Sequence, residues 1–265
     1  MGSIKANSHY YSTYNRVFES RLQTQHFQYS APEYFDMSRI SQQLEQVQQR
    51  ITEVARAAGR DPAAIQLLAI SKTRPIEDIQ AAIAAGQYAF GENYLQDALP
   101  KITALAGTEM PLEWHFIGAI QSNKTRDIAS HFDWVHTLER EKIARRLSEQ
   151  RPDTLPPLQV CVQVNISGEA SKSGISPSDV EALAASVAHL PGLQLRGLMA
   201  IPAATQDVAE QRAAFSALNK LYQSLIKKGY ELDTLSMGMS NDLEAAILEG
   251  STQVRIGTAI FGSRK

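Results

Sequence analysis

From residue 38 onward the apolar positions of this chain follow two alternating rhythms. Ile40, Leu44, Val47, Ile51 and Val54 recur three or four apart, which places them on one stripe of a helix that Gly59 stops. Beyond it, short runs dense in apolar and β-branched residues, bounded by turn signals, read as strands. Eight are predicted: Leu67–Ser71, Tyr88–Gly91, Trp114–Ile117, Trp134–Thr137, Leu158–Asn165, Leu193–Ala200, Thr234–Met237 and Gln253–Ile256. Between them lie amphipathic stretches, among them Ile76–Ala85, Arg140–Gln150, Pro177–His189, Val208–Lys228 and Asp242–Glu249. Strand–helix alternation implies parallel strands joined by crossover helices. Eight such units fit an α/β fold, a single closed (β/α)8 TIM barrel with an additional N-terminal helix. A doubly wound open sheet is the alternative, but no G-x-G-x-x-G follows any strand, so its usual dinucleotide site is missing.

Residues 1–36 break the rhythm. They are rich in Ser, Tyr, Gln, Asn and His and lack the apolar core of a secretion signal. The expectation is a flexible leader, disordered or non-native, followed by a barrel domain over residues 37–265 with Met37 as a natural beginning. A mitochondrial-type transit peptide is the alternative, on Lys5, Arg16 and Arg21; Glu19, Glu33 and Asp36 oppose it.

Composition narrows the class. Hydrophobic content is 43% and charged content 20%, enough to bury a sizeable core. A net charge of −2 gives no electrostatic reason to expect nucleic acid or an anionic membrane as partner. No apolar run is long enough to span a bilayer. Cys161 is the single cysteine and cannot form an internal disulfide, so a reducing cytoplasm fits. It reads as a small buried hydrophobe. No His/Cys/Asp/Glu set has metal-ligand spacing, so no metal site is expected.

The candidate chemistry sits at strand ends. Lys72 closes the run Leu67-Leu68-Ala69-Ile70-Ser71, and Pro75 follows. A poorly solvated ammonium there has its pKa lowered, and a neutral amine can condense with an aldehyde. In a barrel the active site lies at the carboxyl ends of the strands. By strand parity Lys72 shares a face with Leu68 and Ile70, toward the axis. Near the C-terminus, Gly238, Ser240 and Asn241 lead into a helix, and Asn241 with Glu244 has capping-box spacing. A helix start with a serine hydroxyl can seat a phosphate; an ordinary capped loop reads equally well. In Val254-Arg255-Ile256-Gly257-Thr258, Val254 and Ile256 share one face, leaving Arg255 to point into the barrel mouth. Gly257 and Thr258 add backbone N–H groups and a hydroxyl where barrels commonly bind phosphate. Together these residues suggest a phosphorylated aldehyde. His115, in an apolar strand, reads first as a satisfied core residue and Lys124 as a surface charge.

Several motifs carry a resemblance. Ala69-Ile70-Ser71-Lys72-Thr73, Phe90-Gly91-Glu92-Asn93-Tyr94, His115-Phe116-Ile117-Gly118, Gln121-Ser122-Asn123-Lys124, Gly197-Leu198-Met199, Ser236-Met237-Gly238-Met239-Ser240 and the stretch from Val254 to Gly262 resemble the pyridoxal phosphate homeostasis protein family of the YggS/PROSC type. Ala119 departs from it, where proline is expected. The resemblance implies a barrel similar to that of fold-type III pyridoxal phosphate (PLP) enzymes such as alanine racemase. It implies PLP as cofactor, held on Lys72 as a covalent aldimine. Ser240, Gly257 and Thr258 would bind the phosphate, Arg255 would face the pyridine nitrogen, and Asn93 would lie near the ring. The implied function is PLP binding, homeostasis and delivery in the cytoplasm, bearing on amino-acid metabolism, with no established enzymatic reaction. The implied partners are PLP and recipient PLP-dependent apo-enzymes, not nucleic acid or membrane, and the implied state is a monomer or weak dimer. Arginine can only donate, so opposite the ring nitrogen it favours an unprotonated pyridine, a weaker electron sink. Racemases of this fold carry a second, β-rich domain that supplies a tyrosine, for which the chain has no room after the eighth strand. The alternatives are a PLP-dependent racemase or lyase of fold type III, and a barrel that binds a phosphorylated metabolite without a covalent bond. Whether a second lysine, such as Lys124 or Lys172, accepts the cofactor during release is left open by the sequence.

Overall fold

The computed structural model describes residues 39–108, 110–169 and 171–263. The expected leader lies outside the described residues. Eight parallel strands close into a barrel in sequence order: β1 (Gln66–Ile70), β2 (Ala89–Glu92), β3 (Glu113–Phe116), β4 (Trp134–Leu138), β5 (Leu158–Gln163), β6 (Leu193–Met199), β7 (Thr234–Ser236) and β8 (Gln253–Ile256). Closure pairs β8 with β1, in a register that sets Leu68 against Arg255 and Ala69 against Ile256. The helices are α1 (Arg39–Ala57), α2 (Ile76–Ala84), α3 (Leu95–Ala104), α4 (Thr125–His131), α5 (Glu141–Gln150), α6 (Val180–Ala188), α7 (Val208–Lys227), α8 (Leu243–Leu248) and α9 (Thr258–Phe261).

Two-residue alternation sorts each strand into two layers. Leu67, Ala69, Phe90, Trp114, Phe116, Val135, Val160, Leu235, Val254 and Ile256 face outward into the main core beneath the helices. Leu68, Ile70 and Ala89 form a separate cluster inside the barrel, and Trp134, Cys161 and Met199 form another. Helix α1 buries Ile40, Leu44, Val47, Ile51 and Ala55. Three arginines tie it and its exit to the elements that follow β7 and β8. Arg39 donates to Phe261 O, Arg50 forms a two-pronged pair with Glu244, and Arg60 donates to Ile247 O at 2.7 Å. The N-terminal helix therefore braces the two loops at the end of the barrel chain.

Some local readings change. Helices α3 and α4 were not legible as periodic stretches; α3 carries Pro100 inside it, which removes a donor from the helix. Strand β1 ends at Ile70, so Lys72 stands two residues beyond it, not at its last position. The Asn241–Glu244 capping box does not form. The cap position of α8 is Asp242, and Glu244 is turned to Arg50 instead. Among the described residues no helix is long and apolar enough to cross a membrane. Nor does any group of three or more described His, Cys, Asp or Glu residues suit a metal ion.

Candidate functional site

The residues singled out from the sequence fall on the carboxyl-end loops of four consecutive strands around the closure. Ser240 follows β7; Arg255 lies in β8 with Gly257 and Thr258 just after it; Lys72 follows β1; Asn93 follows β2. Lys124 and Lys172 follow β3 and β5 and stand outside that arc.

Lys72 is half-buried, and its neighbours are held firmly. Ser71 uses all its polar atoms. Its N–H donates to Gly91 O at 3.0 Å, its hydroxyl to Glu92 Oε1 at 2.7 Å, and its carbonyl accepts from Lys101 Nζ at 2.9 Å. Lys101 also reaches Glu92 Oε1 at 2.7 Å, so a buried ion pair backs the peptide that carries Lys72. Burial raises the Glu92 pKa, and Lys101 and Ser71 only partly offset it. On the other side, Thr73 has φ +60°, strained backbone for a β-branched residue, and Arg74 donates to Gly262 O.

The end of β8 comes close to β1 because Gly257 has no side chain. A Cβ there would lie 3.3 Å from both Ile70 Cβ and Ile70 O. Gly257 caps α9 without a side-chain bond, and Thr258 is exposed at its first turn. Ser240 is half-buried, and its carbonyl accepts from Arg50 Nη1 at 3.1 Å. Gly238 takes φ +96°, where a Cβ would also strike Ala246 Cβ at 2.5 Å, and its carbonyl accepts from Arg255 N at 2.9 Å. Asn93 is seated by Gly118, whose Cβ would come within 2.0 Å of Asn93 O. Thr137 in turn holds Gly118 O at 2.6 Å, so the loop that lacks the expected proline at Ala119 is still fixed.

Arg255 is buried inside the barrel. Its Nη1 donates to Ser236 Oγ and its Nη2 to Ala200 O, each at 2.9 Å. Burial lowers its pKa to about 10, with the Asp242 carboxylate opposing, so it stays charged at neutral pH. No carboxylate of a described residue forms an ion pair with it.

His115 is not a lone core histidine. Its Nδ1 lies 2.9 Å from His136 Nε2, and His136 Nδ1 lies 3.0 Å from Ser236 Oγ. Sequence reasoning missed His136, Ser236, Glu92 and Lys101. A signal for the pair existed: both histidines sit two residues past another inward side chain, Glu113 and Trp134, on adjacent predicted strands.

The arrangement fits a phosphorylated pyridine aldehyde on three observations. A buried guanidinium has no carboxylate of a described residue within ion-pair distance; a buried amide oxygen, Asn93 Oδ1, has no hydrogen-bond partner among the described residues; and a side-chain-free turn adjoins the loop of Lys72.

Comparison with known proteins bears on the family and the fold. Residues 42–265 match the family of the alanine racemase N-terminal domain. A pyridoxal phosphate homeostasis protein of Pseudomonas aeruginosa is 61% identical over 228 residues, 86% of this chain and 97% of its own. One from Escherichia coli is 52% identical, covering 86% of this chain and 98% of its own. Among solved structures, PipY of Synechococcus elongatus with PLP bound superposes with a TM-score of 0.73 at 33% identity, over 84% of this chain and 100% of that one. Alanine racemase from Corynebacterium glutamicum shares the fold, with a TM-score of 0.64 at 16% identity, over 86% of this chain and 62% of that one. On the strength of these matches, the chain belongs to the pyridoxal phosphate homeostasis proteins, within the family of the alanine racemase N-terminal domain.

Proposed function

We propose that the barrel over residues 37–265 binds pyridoxal 5′-phosphate and takes part in its intracellular homeostasis and delivery, without catalysing a reaction of its own. The observation that carries this reading is the buried, carboxylate-free Arg255 on the strand beside the one that leads to Lys72. PLP brings an aldehyde, an anionic phosphate and an aromatic ring nitrogen, one group for each part of the site. Lys72 supplies the amine for covalent attachment, on a peptide that Ser71, Glu92 and Lys101 hold still. Gly257, Thr258 and Ser240 take the phosphate through N–H and hydroxyl donors. Arg255 donates to the ring nitrogen and so disfavours its protonation. Asn93 lines the ring. A site whose parts bind and orient a cofactor suits storage and transfer. Recipient apo-enzymes and a cytoplasmic setting follow from that role.

The test is a visible absorbance titration with PLP, followed by borohydride reduction and peptide mapping. Wild-type protein should gain a visible band and carry the label on Lys72. Lys72→Ala should lose the band and the label. An unchanged spectrum in that variant would defeat the assignment of Lys72.

A further inference from the structure

Inward side chains from opposite walls of the barrel form an unbroken polar chain across its interior. It runs from Arg255 Nη1 to Ser236 Oγ at 2.9 Å, on to His136 Nδ1 at 3.0 Å, and from His136 Nε2 to His115 Nδ1 at 2.9 Å. His115 Nε2 then faces Glu113 Oε2 at 3.6 Å, beyond a hydrogen bond but within ion-pair range. Four strands contribute, β8, β7, β4 and β3, and the two histidines, Ser236 and Arg255 are all buried.

The direction of the chain follows from hydrogen-bond chemistry. A guanidinium has donors only, so Ser236 Oγ must accept from it. That oxygen has a second lone pair, but among the described residues the serine proton has no acceptor in reach other than His136 Nδ1, so it goes there and Nδ1 is bare. A neutral imidazole with a bare Nδ1 carries its proton on Nε2. That proton points at His115 Nδ1, which must be bare in turn. His115 therefore keeps its proton on Nε2, toward Glu113. A donor-only guanidinium and a serine with one acceptor in reach together set the tautomer of two histidines.

We propose that His136, with His115 behind it, is a positioning residue for Arg255. The chain locks one edge of the guanidinium against the barrel wall and leaves its remaining N–H groups for a ring acceptor on the ligand. This use of the chain rests on PLP being that ligand; the tautomer assignment does not.

The surroundings support a neutral His136. Arg255 and Ser236 face it from β8 and β7, His115 from β3, and Trp134 lies beside it on β4. A second cation there would sit next to Arg255 with no carboxylate in contact. Burial, then His115, then Arg255 hold the His136 pKa well below its ordinary value. At the far end, burial pushes the Glu113 carboxyl up, but the His115 imidazole and the Gln66 amide outweigh it, so it sits below its ordinary value. Gln66 Nε2 donates to Glu113 Oε2 at 2.8 Å.

Two measurements test the proposal. The first uses the full chain without cofactor, with nitrogen-15 in its histidines, at neutral pH. Long-range proton–nitrogen spectra, assigned with H115Q and H136Q, should show both histidines neutral with the proton on Nε2. An Nδ1–H tautomer or an imidazolium at either position would overturn it. The second is PLP affinity read from the visible band. His136→Leu should weaken binding about tenfold, the upper size of one neutral hydrogen bond. His136→Gln should recover most of that loss, because its amide oxygen can accept from Ser236 while its N–H groups donate to His115. Equal losses in both variants, or none in His136→Leu, would overturn the positioning role. Should His136→Leu fail to fold, Ser236→Ala removes the same link, and an affinity equal to wild type in it would overturn the role. Failure of Lys72 labelling would sink the PLP reading while leaving the tautomer result standing.

Discussion

The interior of this barrel has two unlike halves. Below the loop of Lys72, β1 and β2 fill it with Leu68, Ile70 and Ala89, with Tyr88 and Ile117 against them. On the strands that flank and face them, β3, β4, β7 and β8, it holds His115, His136, Ser236 and Arg255. The apolar half is built mainly of aliphatic side chains, so it sets position chiefly by packing. The polar half has little to pack but a fixed order of donors and acceptors, so it sets orientation. On the proposed reading, the first suits an amine that needs a firm seat, and the second a guanidinium whose other hydrogen bonds must be assigned.

This contrast predicts that damage to the two halves will read out differently. The largest effect on stability should come from the clamp behind Lys72. Lys101→Met leaves Glu92 buried without its cation and should destabilise the fold by about 3–5 kcal/mol, measured by urea denaturation. Next, Leu68→Ala opens a cavity in the apolar half and should cost about 3 kcal/mol in the same measurement. Its effect on PLP affinity should be smaller than that of Ser236→Ala, which in turn should cost little stability. If Ser236→Ala proves the more destabilising of the two, the division between packing and orientation is wrong.

The smallest effect concerns pH. The His136 pKa is depressed in the folded protein below its ordinary 6.5, while the unfolded chain keeps the ordinary value. Below that pH the unfolded state binds more protons, so stability contributed by neutral His136 is present above it and is lost as pH falls. The slope is at most about 1.4 kcal/mol per pH unit for one proton. Thermal melts between pH 7 and 5 should show this decline, and His136→Gln should flatten it. An identical slope in the variant would assign the decline to other groups.

How far the site could be read from residues alone depended on distance along the chain. The inward placement of Arg255 was legible because strand parity is local: Val254 and Ile256 are apolar, so the residue between them takes the other face. The eight strands were legible for the same reason, to within two residues at most ends. The clamp on Ser71 was not. Lys101 lies on a helix with a proline inside it, and nothing in its own surroundings says that its ammonium will bury itself against a carbonyl 30 positions earlier. The capping box at Asn241 failed for the opposite reason. The local signal was sound, but Glu244 found Arg50, 194 positions away, a charged partner that outcompetes a single backbone donor.

The amino-acid order settled the class of fold, the face each strand residue would take and the amine at the first strand's exit, because all three follow from alternation and short-range turn chemistry. Which inward side chains meet was a matter for barrel closure. His136 and Ser236 stand 100 positions apart and touch only because parallel strands arranged in a ring bring opposite walls within hydrogen-bond reach. The direction of protons along that contact then comes from Arg255, whose lack of any acceptor is a property of one residue that acquires consequences for others only once the ring is closed.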